Sequence, residues 1–267
     1  FEGGDAREKA AAALDLAGSV LGLSFHAMGC RVVQAALEAC STDDAATLAS
    51  ELKGHVRAAC RDKHANFVVA KAVAMLPADH ALFVARELEA CAQDMMRHKF
   101  GCRIFCRLIE HSCSHPEVAG LIEHAVACRA GDLSRHEYAH FVVACLLEHG
   151  LPEHQALATR ELMGLGLAGL ARHRYGRFAI EALFLHAQRQ DQVEVLERLM
   201  DDDMGLFELA MDDCGHTAVA AALQSCVGAR VAHELASSTA QLSESKFGQR
   251  VLVEAQRFLA PYRVGGA

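Results

Sequence analysis

The pattern of apolar and polar positions along this chain favours helices. Ala, Leu and Glu are abundant, and β-branched residues rarely alternate with polar ones in the period-two manner of a strand. The pattern also repeats. Seven ten-residue segments align without gaps: MGCRVVQAAL from Met28, HANFVVAKAV from His64, FGCRIFCRLI from Phe100, YAHFVVACLL from Tyr138, YGRFAIEALF from Tyr175, CGHTAVAAAL from Cys214 and FGQRVLVEAQ from Phe247. Successive segments are spaced 36, 36, 38, 37, 39 and 33 residues apart, the period of a helical repeat array.

Most aligned columns have a packing role. The first is mostly aromatic (Phe100, Tyr138, Tyr175, Phe247) and reads as a core anchor. The second is always Gly or Ala, small enough to let neighbouring backbones approach. The fifth and sixth are apolar, and the tenth is usually large and apolar (Leu37, Val73, Ile109, Leu147, Phe184, Leu223). Columns six and ten lie four apart on one helix face, which is expected to be buried. A second helical pattern runs between the segments, as in residues 43–60 and 191–210, so each unit reads as a helical hairpin of about 36 residues. One hairpin cannot bury its apolar face alone, and stacking solves this. The expected fold class is all-α: a curved α-solenoid of about seven repeats, with residues 1–267 forming a single repeat domain. Residues 1–23 read as the trailing helix of an upstream repeat, and the start at Phe1, mid-pattern, as that of a fragment. Gln256 at the last tenth column suits a C-terminal cap.

Packing does not explain columns three, four and seven, which share one helix face. Column four reads Arg31, Phe67, Arg103, Phe141, Phe178, Thr217 and Arg250. Arg and Phe are both flat groups able to stack on a nucleobase, Arg with a cation–π contribution. Their sharing a column is hard to explain as core, since Arg is almost never fully buried unpaired. One stacker per repeat suits one base per repeat.

Charge supports the same face. The formal net charge is −8, which alone argues against a nucleic-acid partner. In 14-residue windows around the seven third-column residues, however, there are 14 Lys and Arg against 7 Asp and Glu, while the rest of the chain has 12 against 27. Phosphate attraction acts locally, within about 8 Å at physiological salt.

These residues resemble Pumilio repeats. LKGHVRAACRDKHANFVVAKAV is similar to a junction between two of them, and FGQRVLVEAQRF resembles the family's cap repeat. The resemblance implies a three-helix repeat and an arc whose concave face reads single-stranded RNA, one base per repeat and antiparallel to the protein. Columns three and seven would contact the base edge, and column four would stack. Cys30, Arg31 and Gln34 match the adenine-type triplet. Asn66 and Phe67 resemble the uracil type with Ala70 in place of the amide, and Cys102 and Arg103 the adenine type with Cys106 in place of Gln. Glu181 matches the guanine type beside Phe178, with Arg177 where Ser is usual. His140 with Ala144, and His216 with Ala220, match no common triplet; Gln249, Arg250 and Val253 are expected to read nothing. The family's typical target has a UGUA core, and the lost amides imply looser preference, as in its ribosome-biogenesis relatives. The implied role is messenger RNA 3′ untranslated-region recognition by a cytoplasmic or nucleolar monomer, with protein corepressors on the convex face. The rival reading is a protein-interaction solenoid of armadillo or HEAT type.

Other chemistry is weakly represented. No run approaches the roughly 18 apolar residues of a membrane span. Eleven scattered cysteines suggest reduced thiols in an intracellular protein. His98, Cys102 and Cys106 share a helix face, as do Cys60 and His64, but no distant ligand pair completes a zinc site, and His26, His136 and His173 share the His98 column by register alone. Cys30 and Cys102 each precede an Arg, which can lower a thiol pKa. No base or oxyanion device accompanies either, so no enzyme activity, cofactor or metal is expected.

Overall fold

The computed structural model describes residues 11, 13–202 and 205–259, and every regular element among them is helical. None of the helices is long and apolar enough to cross a membrane. Repeats one to six have three helices each rather than two, and among the described residues repeat seven shows the first two. A short helix precedes a longer inner helix, and an outer helix follows. The inner helices carry the seven aligned segments: Gly29–Ala39, Ala65–Met75, Gly101–Ser112, His140–His149, Arg177–His186, Gly215–Gln224 and Lys246–Leu259.

The extra helix arises where the sequence pattern ran on without a break. Residues 43–60 divide into Thr42–Ser50 and Val56–Arg61, and residues 191–210 into Arg189–Met200 and Gly205–Met211. Gly54 has φ +80° and Gly205 φ +61°, a left-handed conformation that ends the apolar stripe's helix and suits Gly alone among common residues. The reading of residues 1–23 lies partly outside the described residues. Its described end is the short helix Val20–Ser24, packed on the first inner helix.

The chain divides into two compact units. One comprises residues up to Val126 with His149–Leu151, and the other runs from Ala127 to Glu148 and from Pro152 onward. In the first, the inner helices of repeats one, two and three pack side by side; in the second, so do those of repeats five, six and seven. Columns six and ten form the core of both units: Val33 and Leu37, Val69 and Val73, Phe105 and Ile109 in one, Val143 and Leu147, Ile180 and Phe184, Val219 and Leu223 in the other, all buried. The small second column also has its expected use. A Cβ on Gly29 would lie 2.4 Å from the Leu23 carbonyl oxygen, and on Gly101 2.3 Å from that of Met95, six residues upstream in each case. The short helix thus presses its backbone against the start of the inner one.

Carboxylates close individual repeats in the first unit. Glu51 accepts from Gly18 N–H at 2.6 Å and Val20 N–H at 2.9 Å, and Glu87 accepts from Gly54 at 2.7 Å and Val56 at 3.1 Å. Each outer helix so satisfies the free N–H groups that open its own repeat's short helix. In the second unit Gln192 links successive repeats, donating to Ala187 O and accepting from Cys226 N–H in the next repeat.

The inner helices begin under a common constraint. The residue two positions before the first column takes the helix's first free N–H groups on its side chain. His26 Nδ1 accepts from Met28 and Gly29, His98 from Phe100, His136 from Tyr138 and Ala139, and His173 from Tyr175 and Gly176. Asp62 and Asp212 serve with a carboxylate oxygen, and Ser245 with its hydroxyl. This explains the His column that suggested metal ligands. An imidazole accepts at Nδ1 only when that nitrogen carries no proton, so the form that makes this cap is the tautomer with its proton on Nε2.

Two of the capping groups, His98 and Asp62, have depressed pKa values. Burial, Arg61 and Lys99 hold the His98 pKa below its ordinary value. For Asp62, burial pushes the carboxyl up but the N–H groups of Ala65 and His64 outweigh it, and the net shift is downward. A depressed folded pKa means the unfolded chain binds the proton more readily. The His98 contribution is therefore complete above about pH 6.5 and is lost as pH falls through the lower folded value. His98→Ala should cost about 0.5–2 kcal/mol in urea unfolding at pH 7.5. The gap to the parent should shrink by pH 5, whereas His98→Asp should keep its cap there. A gap that stays constant with pH would rule out the neutral-imidazole cap.

Candidate nucleic-acid interface

Fixing the helix start fixes which side chains face outward. Column four emerges at the surface: Arg31, Arg103 and Arg250 are exposed, Phe67 is 43% and Phe141 53% exposed, and Phe178 and Thr217 are half-buried. Single exposed apolar residues are ordinary, but these two phenylalanines occupy the same register of successive even-numbered repeats.

In the first unit the predicted residues converge. Cys30, Arg31 and Gln34 of repeat one and Phe67 of repeat two line a hollow of about 420 Å³, together with Met28 and His64. Gln34 donates its Nε2 to the Cys30 carbonyl at 2.9 Å, which orients the amide and leaves Oε1 as an acceptor. Arg103 lies with its guanidinium carbon 5.7 Å from the Phe67 ring centre. A base between them needs about 7 Å, two van der Waals gaps of ~3.5 Å, so exposed Arg103 must swing to admit one. Met28 and His64 were missed as lining residues because the first column was read as core. In fact Phe100, Tyr138, Tyr175 and Phe247 are all only half-buried, at the seams between repeats.

In the second unit two arrangements differ from this. His140 is buried, its ring centre 4.0 Å from that of Phe141 and 4.8 Å from that of Phe178, with 17° between the latter planes. It also stacks on Tyr175 at 5.4 Å. Arg177 lies with its guanidinium carbon 4.2 Å from the Phe178 ring centre, and its Nη1 reaches Thr217 Oγ1 at 2.9 Å and Glu181 Oε1 at 3.3 Å. Thr217 Oγ1 donates to the same Glu181 oxygen at 2.5 Å. Beyond this network a hollow of about 300 Å³ is lined by Glu181, His216, Thr217, Ala220 and Arg250, with Gln224 at its edge.

Column three departs most from expectation. Cys30, Asn66, Cys102, His140 and His216 are all buried. The helix entry explains it: carbonyls of the preceding turn are near, and short polar side chains bond back to them. Asn66 Nδ2 donates to Asp62 O at 2.7 Å, Cys30 Sγ to Ala27 O at 3.4 Å, and His140 and His216 engage the His136 and Asp212 carbonyls through Nδ1, each at 3.0 Å. Asn66 Oδ1 and His140 Nε2 remain buried without a partner. Column seven offers Gln34 and Glu181 as hydrogen-bonding groups, while Ala70, Ala144 and Ala220 are half-buried and carry none. The structure brings the repeat-one triplet together with Phe67, and groups Glu181 with the column-four Thr217 and Arg250.

Column four holds a planar group in every repeat except the sixth, where Thr217 stands. The Pumilio-family RNA binding repeat model matches residues 19–53, 92–124 and 129–163, and the fold is that of Pumilio-type repeats. Solved structures share the fold. That of PUF-8 in complex with PBE-RNA is similar at 20% identity and a TM-score of 0.79, covering 96% of this chain and 76% of that one. The Puf4 RNA binding domain bound to an HO endonuclease RNA 3′ UTR recognition sequence matches at 16% identity and TM-score 0.75, over 94% and 78% of the two chains. The RNA-binding domain of yeast Puf5p bound to MFA2 RNA matches at 16% and 0.67, over 94% and 70%. No curated protein matches the chain in sequence.

The thiols behave contrary to the suggestion that a following Arg activates them. Burial, followed by the adjacent Cys106 thiol, pushes Cys102 up to about 11 despite Arg103, and burial pushes Cys60 up to about 12. Only the thiolate reacts. Timed alkylation with N-ethylmaleimide at pH 7.5 should label exposed Cys128 and Cys226 first and the native protein's Cys60 and Cys102 last. Early labelling of Cys102 would mean that its thiol is exposed and activated.

Proposed function

We propose that this chain binds single-stranded RNA along its inner-helix faces, with column-four side chains stacking on bases. The observation that carries the reading is the hollow in which Arg31 and Phe67 flank Gln34. Two planar groups from consecutive repeats bound an open slot, and an amide at its floor offers the donor–acceptor chemistry of a Watson–Crick edge. The basic residues of the inner segments supply phosphate attraction in an otherwise acidic chain. The RNA complexes of PUF-8 and Puf4 support the same reading.

At finer grain, the function is messenger RNA recognition in the 3′ untranslated region by a cytoplasmic monomer, in keeping with the Puf3 and Puf4 complexes, whose RNAs are 3′ UTR recognition sequences. Corepressor proteins would bind the outer helices. The sequence preference is relaxed, because Ala70, Ala144 and Ala220 bring no hydrogen-bonding group to the edge position.

Selection from a random RNA library at about 150 mM salt, followed by Kd measurement, tests this. Phe67→Ala should weaken binding by roughly 5- to 150-fold, the loss of about 1–3 kcal/mol from one stacked base. Gln34→Ala should cost less affinity and erase preference at one nucleotide. A Kd unchanged by Phe67→Ala would defeat the stacking claim, and no RNA binding at all would favour a peptide-binding scaffold.

A further inference from the structure

Five slots between consecutive column-four residues lie wholly within one unit or the other; that between Phe67 and Arg103 admits a base once Arg103 swings, and the other four differ in what they hold. In repeat one, between Arg31 and Phe67, and in repeat six, between Thr217 and Arg250, the slot is an open hollow. In repeat four the space between Phe141 and Phe178 is bridged by a ring of the protein itself. The His140 imidazole packs on both phenylalanines, nearly parallel to the second. In repeat five, between Phe178 and Thr217, Arg177 covers the Phe178 face and hydrogen-bonds Thr217.

We propose that His140 and Arg177 are built-in substitutes for bases, so that repeats four and five leave two adjacent nucleotides unread. This rests on the RNA-binding reading above.

The chemistry of the two side chains fits the task. A flat, neutral imidazole offers the same stacking surface as a small base, and burial keeps the His140 ring neutral by lowering its pKa, in spite of hydrogen bonding that acts the other way. Its Nδ1 is anchored on the His136 carbonyl at 3.0 Å, so the ring is held in place from its own helix. A guanidinium is likewise planar, and it stacks on aromatic faces. Arg177 is anchored at two points, Thr217 and Glu181. Glu181 then serves as the counter-ion of Arg177 and does not reach out to a base in repeat five. The column-three residue and the ring it settles on together decide the outcome. Cys30 is too short to enter the slot and leaves it open, whereas His140 and Arg177 are long enough to fill it. His216 is the informative contrast. It has the same residue type as His140, but its ring stacks instead on Phe247, 4.8 Å away at the seam with repeat seven, and the hollow beside it stays open.

An abasic scan tests the proposal. A short single-stranded RNA taken from the random-library selection is made with one abasic residue at each position in turn, and Kd is measured for the intact chain. Two neighbouring positions should tolerate the lesion with less than about a twofold change, while positions facing open slots lose roughly 5- to 150-fold. His140→Ala should make one tolerant position sensitive, and Arg177→Ala the one next to it, with circular dichroism confirming that each variant is folded. If either variant fails to fold, the scan of the parent protein still decides. Tight binding with every position sensitive would overturn the substitution of His140 and Arg177 for bases while leaving RNA binding intact. Absence of binding to every RNA would overturn the RNA-binding reading itself.

Discussion

Each inner helix starts where one side chain, two residues before the aligned segment, takes up backbone N–H groups that no helical carbonyl can reach. The remaining geometry follows from that bond. It fixes the first helical residue, and at 100° per residue the first residue sets the direction of every later one. Columns six and ten then face the core, and column four faces outward. Without the cap, the first turn frays and the phase between buried and exposed faces loosens. The chain meets the requirement with three chemistries, imidazole at His26, His98, His136 and His173, carboxylate at Asp62 and Asp212, and hydroxyl at Ser245. What they have in common is a lone pair at the right distance from the backbone. The small second column is the companion condition, since a larger side chain there would strike the carbonyl of the short helix and push the cap out of reach.

The acidic balance of the chain is compatible with this design. Acidic side chains have structural duties away from the inner-helix face: Glu51 and Glu87 receive backbone N–H groups from the short helices of their own repeats, and Arg86 pairs with Glu117 through two hydrogen bonds between outer helices. The exposed ion pairs add little stability in water. The Glu-to-backbone bonds are more valuable, because they satisfy donors at positions where the chain turns through a left-handed Gly. Net charge therefore describes the whole molecule poorly, and the local excess of Lys and Arg on the inner segments is the relevant quantity for an anionic ligand.

Much of the fold was legible because packing leaves a periodic trace. Val33 with Leu37, and Phe105 with Ile109, are four residues apart and buried, as their spacing implies. The short helices were not legible as separate elements. Their apolar residues continue the stripe of the outer helix, and a Gly with positive φ marks the break at only three of them, Gly18, Gly54 and Gly205. The His98 column was visible as a register but not as a cap, since His is a less common capping residue than Ser, Thr, Asp or Asn. The site was legible where side chains are long or flat: Arg31, Gln34 and Phe67 meet around one hollow. Column three was misjudged as outward-facing. Its residues lie one turn beyond the cap, where a free carbonyl competes for any short polar group, and Asn66 and His140 take that bond. Sequence spacing gives the direction of a Cα–Cβ bond but not where a side chain with several acceptors within reach will settle.

The same competition explains how a repeat can keep its stacking residue and lose its reading function. Phe178 remains at its column, so the packing of the inner helices is undisturbed. Its ring, however, is covered by His140 of the preceding repeat and by Arg177, the residue just before it. An exposed aromatic ring costs free energy in water, on the order of 25 cal/mol per Å² of apolar surface. A protein can recover that energy by binding a base or by folding one of its own planar side chains onto the ring. The first choice makes binding sensitive to the ligand, and the second makes the ring part of the fold. Phe67 and Phe178 hold equivalent positions and represent the two choices: Phe67 borders an open hollow, 5.7 Å from the guanidinium of exposed Arg103, while Phe178 is stacked by two anchored groups. The length of the column-three side chain, together with the ring it settles on, selects between them.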